Sequence, residues 1–220
     1  QCAVRMEYTF YRALPYVDIA VTVLFNARDR AVKLALPVAF DGAFIGQTAQ
    51  AHGLPGETAR RVFSSYVDRL MYGEAFRPFD KLLMEALGYC DMELKTAVFS
   101  REWERLLAVY QGLEPFADVL DTLVALREKG YVLMLMSNTT VRMMERHLEK
   151  LGHLFDGTLV ADDTRCYKPD LKFFQMAEEK FELSGREHCH IAKGYWWDIV
   201  PAAKMGWRRI WVNRDGLTAG

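Results

Sequence analysis

The sequence predicts an α/β fold in which a parallel sheet carries an inserted block of helices. In the carboxyl-terminal half, short apolar runs alternate with segments of helical periodicity. Between residues 56 and 110 the periodicity is helical, with no convincing strand between the helices. Alternating strands and helices favour a parallel sheet covered on both faces. We therefore expect an α/β core over residues 1–40 and 112–220 and a helical insert over residues 41–111.

Apolar runs and helix stop signals place the elements of the carboxyl-terminal half. The predicted strands cover 131–138, 157–163, 188–194 and 208–216. The predicted helices cover 116–130, 139–152, 170–183 and 198–206. The first two of these helices end in glycine, which is common just past a helix. Ligands of such sheets bind at the carboxyl ends of the strands, so the polar residues found there are candidates for a site.

The insert and the amino-terminal region follow the same rules less clearly. Helical periodicity predicts helices over 56–74, 79–88 and 91–110. The run "VTVLF" at 21–25 predicts the first strand of the sheet. The stretch "LALPVAFDG" at 34–42 is either another strand or an irregular loop, and Pro37 argues against a central strand.

Composition excludes several classes of protein. The net charge is −1 and half of the residues are hydrophobic, so we expect neither a nucleic-acid partner nor an anionic membrane surface. No apolar run approaches the roughly 20 residues of a membrane span. The four cysteines form no C-x-x-C pair, and in "HCH" at 188–190 the cysteine and the histidines point to opposite faces of a strand. We expect a cytoplasmic protein without disulfides.

Three stretches carry a family resemblance. They are "LMLMSNTT", "DDTRCYKPDLKFF" and "HIAKGYWWDIVPAAKMGWRRIWVNRDG", supported by "GEAFRPFDKLLMEAL" in the insert. In this order and spacing they resemble the haloacid dehalogenase superfamily, within the branch of the 2-haloacid dehalogenases. The resemblance covers residues from about 21 to the end. It implies a Rossmann-like core, with the helical insert as the cap over the active site.

The resemblance also implies a mechanism. In this family an aspartate at the end of the first strand attacks the substrate and forms an ester. The serine of the second motif, here Ser137, holds the substrate's anionic oxygen. The lysine of the third motif, here Lys168, offsets negative charge around the nucleophile. Phosphatase members hold magnesium with acids of the fourth motif, whereas haloacid dehalogenases work without the metal.

Two stretches compete for the first motif. "LFNARDRAV" places Asn26 at the nucleophile position, and "AFDGAFIG" offers Asp41. Asn26 leaves more room for the cap before Ser137, and we favour it on that ground. An amide cannot replace an aspartate as a nucleophile, so this alignment excludes an ester at residue 26.

Further departures accompany Asn26 on that alignment. Arg28 and Lys193 stand where acids are common, and Asp198 is the acid of the fourth motif that remains. A lysine would repel a magnesium ion, so we predict no metal and no other cofactor. The predicted catalytic residues are Asn26, Asp29, Lys168, Lys193 and Asp198. The predicted substrate-binding residues are Arg28, Ser137, Asn138, Tyr195, Trp196, Phe76 and Phe79.

Three functions are compatible with this site. The favoured hypothesis is an enzyme that performs metal-independent, non-hydrolytic acid–base chemistry, such as isomerisation, rearrangement or cyclisation, on a small organic molecule between cap and core. The second is a haloacid dehalogenase-like hydrolase whose nucleophile is Asp41 or Asp29, or in which Asn26 replaces the nucleophile. The third is a non-catalytic binding or scaffold protein. Because members of the branch are often dimers, the resemblance also suggests a homodimer.

Overall fold

A computed structural model of the 220-residue chain gives the architecture. It describes residues 3–10, 17–24 and 31–35 as strands, and residues 43–183, 188–214 and 216. Among these residues no helix is long and apolar enough to cross a membrane.

Seven strands form two sheets in the described part of the chain. The strands are β1 (Ala3–Phe10), β2 (Val17–Leu24), β3 (Ala31–Ala35), β4 (Val132–Ser137), β5 (Gly157–Val160), β6 (His188–Ala192) and β7 (Arg208–Trp211). The first two pair as an antiparallel hairpin, with Val4 opposite Val23. The other five form a parallel sheet in the order β5-β4-β3-β6-β7. The central strand is therefore β3, between β4 and β6.

The prediction that residues 21–25 form the first strand of the sheet was wrong. Residues 21–24 belong to β2, which pairs with β1 and not with the parallel sheet. The strand that joins the sheet is β3, ten residues further along, where Leu34 lies beside Leu135 and Ile191. Both stretches are apolar, so local pattern could not tell which of them pairs with β4. Their long-range partners decide it.

The helical insert runs between β3 and β4. Its helices are α1 (Ala43–Ala51), α2 (Gly56–Met71), α3 (Phe79–Leu94) and α4 (Trp103–Gly112), with a 3-10 helix at Phe99–Glu102. The prediction of a helix over 79–88 was wrong at its end, because α3 continues through Gly88 to Leu94. It stops where Lys95 adopts a left-handed conformation with φ of 52°. The domain limits at residues 40 and 112 remain a prediction.

Replacing Gly88 with alanine is expected to stabilise the protein by about 0.5–1 kcal/mol, because a glycine inside a helix costs conformational entropy. Gly88 is exposed, and a Cβ built on it meets no atom within 4 Å. The shift in urea midpoint at unchanged slope measures the gain. Gly130, with φ of 81°, is the control, because alanine is strained there and should destabilise.

The carboxyl-terminal helices confirm the predicted alternation. They are α5 (Val119–Glu128), α6 (Val141–Lys150), α7 (Ala161–Thr164), α8 (Leu171–Lys180) and α9 (Val200–Lys204), with a π-helical turn at Tyr195–Ile199. The strand predicted over 157–163 ends early, at Val160. Asp163 turns back there and accepts a hydrogen bond from the Val160 N–H at 3.1 Å, so the next residues begin α7.

One hydrophobic cluster joins the insert to the sheet layer. Insert residues such as Phe63 and Leu87 belong to the same buried cluster as Met136 of β4 and Phe174 of α8. A second cluster packs α5 and α6 against the sheet, with Leu123 and Leu135 fully buried. The insert thus packs on the core through shared apolar contacts, which positions α2 and α3 beside the carboxyl ends of the strands.

Candidate active site

A buried ion pair lies at the carboxyl edge of the parallel sheet. The Nζ atom of Lys168 lies 2.6 Å from Oδ1 of Asp198, and both side chains are more than nine-tenths buried. Lys168 also donates to the backbone carbonyl of Met136, at 3.4 Å, in β4. The two residues come from the third and fourth motifs, 30 residues apart. Two of the predicted catalytic residues, Lys168 and Asp198, therefore lie side by side.

Asp198 is held as a carboxylate by its neighbours. Burial alone would raise the pKa of Asp198, but Lys168 and His190 together hold it below its ordinary value. The Nε2 atom of His190 lies 3.4 Å from the same Oδ1 atom that contacts Lys168. The Asp198 backbone N–H donates to the Gly194 carbonyl at 2.9 Å. The charge at the centre of the site is therefore compensated and fixed in place.

Asn138 positions Lys168 through two hydrogen bonds to its backbone. The Lys168 N–H donates to Oδ1 of Asn138 at 2.8 Å, and Nδ2 of Asn138 donates to the Lys168 carbonyl at 3.0 Å. The two bonds use both ends of the amide and lock the third motif to the end of β4. Asn138 was predicted to bind substrate. The geometry instead gives its amide a positioning role.

Polar residues at the end of β4 can cap the next helix or contact a ligand. Thr140 and Ser137 differ in this respect. Thr140 begins α6, because its hydroxyl accepts a hydrogen bond from the Met143 N–H at 3.2 Å. Ser137 is half-buried, and within the described ranges its hydroxyl forms no hydrogen bond. Helix capping is thus done by Thr140, which leaves the Ser137 hydroxyl available to a ligand. The predicted substrate-binding role of Ser137 stays a prediction.

The end of α2 reaches the same edge of the core. Tyr72, just past α2, donates to the Lys168 carbonyl at 3.2 Å and accepts a short hydrogen bond from Nε1 of Trp197. Burial, with smaller contributions from Asp68 and Asp198, raises the pKa of Tyr72, so this hydroxyl keeps its proton at neutral pH. The Lys168 carbonyl consequently accepts from the insert and from Asn138 at once.

Aromatic residues of the insert pack on the third motif. The ring of Phe76 lies 5.3 Å from that of Tyr167, and Phe79 lies 6.5 Å from it. Tyr167 donates its hydroxyl to the Arg77 carbonyl at 2.5 Å. Phe79 is 7% exposed and belongs to the hydrophobic core, whereas Phe76 is half-buried beneath the guanidinium of Arg165. Packing thus accounts for Phe79, and Phe76 is the ring with a partly open face.

The loop after β6 presents three consecutive aromatic residues. The ring of Tyr195 is tilted against that of Trp211, with ring centroids 4.8 Å apart, while Trp196 is 55% exposed. Lys193 is half-buried at the end of β6, and its carbonyl accepts from Nε1 of Trp211 at 2.9 Å. Tyr195 and Trp196 therefore lie on the loop that leads into Asp198, as predicted from the sequence. Contact with a substrate remains a prediction for both.

Four residues named in the sequence analysis lie outside the described part of the chain. They are Asn26, Arg28, Asp29 and Asp41. In the parallel sheet the strand is β3, and residue 26 precedes it in the chain. The first helix of the insert begins at Ala43, two residues after Asp41. The choice between Asn26 and Asp41 stays a prediction.

Two contributors were missed because their signals are not local. His190 lies inside a strand, where a polar residue between apolar ones reads as ordinary alternation. Tyr72 is not among the predicted site residues, and its bond to Lys168 spans 96 residues. A histidine at the centre of a parallel strand, where both faces are covered, was the one available signal.

Among the described residues of the site, the buried carboxylate lies beside a cation. The buried acid of the fourth motif, Asp198, has its Oδ1 atom against the ammonium of Lys168, which would repel a cation. No group of three histidine, cysteine, aspartate or glutamate side chains in the described ranges could hold a metal ion. Lys193 adds a second cation to the same edge of the sheet.

Comparisons with known proteins identify the family of the chain. The model of the haloacid dehalogenase-like hydrolase family matches residues 14–206. The chain is 27% identical, over 91% of its length and 86% of the relative's, to (S)-2-haloacid dehalogenase 4A of Burkholderia cepacia. It is 30% identical, over 64% of its length and 69% of the relative's, to glyceraldehyde 3-phosphate phosphatase of Methanothermobacter thermautotrophicus.

Solved structures give the same fold. The L-2-haloacid dehalogenase from Xanthobacter autotrophicus superposes with a TM-score of 0.67 at 19% identity, over 84% of this chain and 78% of the other. A parallel sheet with a helical insert and a buried lysine–aspartate pair is the arrangement described here for the chain. The chain belongs to the haloacid dehalogenase-like hydrolase family.

Proposed function

We propose that this protein hydrolyses the carbon–halogen bond of a small 2-haloacid, with Asp41 as the nucleophile. The observation that carries the proposal is that β3 is the central strand of the parallel sheet. Asp41 is the first carboxylate in the sequence after Ala35, where β3 ends. Six residues of extended chain span up to about 20 Å, which is ample reach across the edge of a sheet.

The chemistry suits the charges of the site. A carboxylate oxygen of Asp41 would attack carbon 2 of the substrate, displace the halide and form an ester. Water then attacks the carbonyl carbon of that ester and releases the 2-hydroxy acid, so that the overall products are hydroxy acid, halide and one proton. The Lys168 ammonium offsets the charge of two carboxylates, and Ser137 supplies a donor for the substrate carboxylate.

The favoured hypothesis from the sequence, non-hydrolytic acid–base chemistry, loses its main support. It depended on an amide at the end of the first strand, and Asn26 does not follow the strand that joins the sheet. The (S)-2-haloacid dehalogenase 4A relative, matched over 91% of this chain, favours hydrolysis instead. The Lys168–Asp198 pair favours the metal-independent reaction over phosphate-ester hydrolysis.

Substitution at Asp41 tests the proposal. We expect Asp41→Asn to lower turnover of (S)-2-chloropropionate by at least about 10³-fold, because the amide cannot form the ester. Asn26→Asp and Asp29→Asn are matched controls and should each leave turnover within a few-fold. Turnover is measured as halide release, with and without magnesium. Hydrolysis of a generic phosphate ester is measured under the same two conditions.

Isotope labelling identifies the nucleophile directly. In a single turnover in H₂¹⁸O, the label should enter the carboxyl of Asp41, and the hydroxy acid released first should carry unlabelled oxygen. Peptide mass spectrometry locates the label. Label in Asp29, or a magnesium-dependent phosphatase activity that exceeds dehalogenation, would contradict the proposal.

A further inference from the structure

His190 is a buried polar side chain that the proposed reaction does not use. It lies at the middle of β6 and is fully buried. The rings of Phe174 and Trp207 pack edge-on against it, with centroids 5.9 and 5.8 Å away. These contacts restrict the orientation of the imidazole. Buried ring nitrogens require polar contacts, and Asp198 supplies one of them.

The Nε2 atom of His190 faces Asp198. It lies 3.4 Å from Oδ1, the oxygen that also contacts Nζ of Lys168 at 2.6 Å. An ionised carboxylate can only accept hydrogen bonds, so it favours the imidazole tautomer with its hydrogen on Nε2. The carboxylate of Asp198 thus lies between an ammonium and an imidazole.

Gly194 closes the other side of the carboxylate. A Cβ built on Gly194 would collide with Oδ2 of Asp198, so that oxygen lies directly against the loop backbone. The Asp198 backbone N–H in turn donates to the Gly194 carbonyl. With Gly194 behind Oδ2 and two donors at Oδ1, little rotation of the carboxylate about its last torsion is left. Of these three constraints, the imidazole is the one supplied by the sheet itself.

From this geometry we infer that His190 is a positioning residue, which orients Asp198 and through it aims the Lys168 ammonium at the reacting carboxylate. The inference rests on the proposed hydrolytic function for its kinetic consequences. It does not make His190 a catalytic residue, because the Asp198 side chain stands between the imidazole and Lys168. The phenyl ring of phenylalanine fills the same space without a donor, whereas the amide of glutamine keeps an N–H at a similar reach.

Paired variants test the inference. We expect His190→Phe to lower kcat by between about 10-fold and 100-fold, with KM within about 2-fold, because a displaced charge costs rate in the chemical step. His190→Gln should restore most of kcat. A loss of equal size in both variants would mean that the ring only packs, and unchanged kcat in His190→Phe would also overturn the inference.

Crystal structures of the two variants give a readout that needs no turnover. In His190→Phe the Asp198 carboxylate should rotate and its contact with Lys168 Nζ should lengthen, whereas His190→Gln should keep it. An unmoved carboxylate in His190→Phe would contradict the inference even if the wild-type protein hydrolyses no haloacid. Absent turnover in the wild type, with the expected rotation, would refute only the proposed function. If His190→Phe does not fold, His190→Leu replaces it.

Discussion

Replacing Lys168 with methionine is expected to lower the free energy of unfolding by about 3–5 kcal/mol, because it leaves a buried carboxylate without its partner. The same change should lower turnover by at least about 10²–10³-fold, as expected when a fixed charge is removed from a reacting centre. Lys168 is 5% exposed and Asp198 is 6% exposed, so little solvent screens the unpaired charge. Chemical denaturation and halide release measure the two effects.

The double variant separates stability from activity. Combining Lys168→Met with Asp198→Asn removes both buried charges, so much of the lost stability should return while turnover stays low. A double variant as unstable as the single one would show that packing of the lysine stem, and not its charge, holds the site together.

The same pair sets an acid limit on stability. Because the folded pKa of Asp198 lies below its ordinary value of 3.8, the unfolded state binds the proton more readily. The stabilisation is complete above that value and is lost as the pH falls through the folded pKa. The free energy of unfolding of Lys168→Met should therefore differ most from that of the wild type near neutral pH. The difference should shrink in acid.

Replacing Asp91 with alanine is expected to destabilise the protein by about 2–4 kcal/mol, since it leaves two backbone donors of the insert without an acceptor. The carboxylate of Asp91, 8% exposed, accepts from the N–H groups of Phe99 and Ser100, each at 2.8 Å, and from the Ser100 hydroxyl. It thereby starts the 3-10 helix that leads into α4. The midpoint of urea unfolding measures the loss.

Asp80 provides the control for Asp91. Its carboxylate accepts only from the adjacent Lys81 N–H, at an exposed site on the same helix. Asp80→Ala should therefore cost no more than about 0.5 kcal/mol, as for other surface changes. Equal losses in the two variants would mean that the bonds from Asp91 to Phe99 and Ser100 contribute no more than a surface contact.

The sequence was informative wherever a polar residue follows an apolar strand. Asn138 was found on that basis, and Lys168 and Asp198 were found from the motif resemblance. The structure brings the three residues together. The chemistry inferred for Asn138 was less accurate, because a clasp on another residue's backbone leaves no local pattern. His190 was missed for the same reason.

The amino-terminal region shows where local reasoning fails. Two apolar runs, 21–25 and 31–35, are equally good strands by composition. Pairing with β1 takes the first run out of the parallel sheet, and pairing with β4 and β6 brings the second into it. Such choices depend on residues more than 100 positions away in the chain. The prediction of Asn26 starts from the first run, whereas the proposal of Asp41 starts from the second.

Hydrogen bonds to the Lys168 carbonyl couple the insert to the residue that carries the buried ammonium. Since it accepts from Tyr72 and from Asn138 at once, any hinge movement of α2 must break or stretch a bond to the residue that carries the ammonium. Opening of the insert to admit substrate would then make the position of the Lys168 ammonium less fixed, and closure would restore it. Substitutions engineered into α2 to widen substrate scope should consequently alter rate as well as selectivity, and their effects should not add to those made in the sheet.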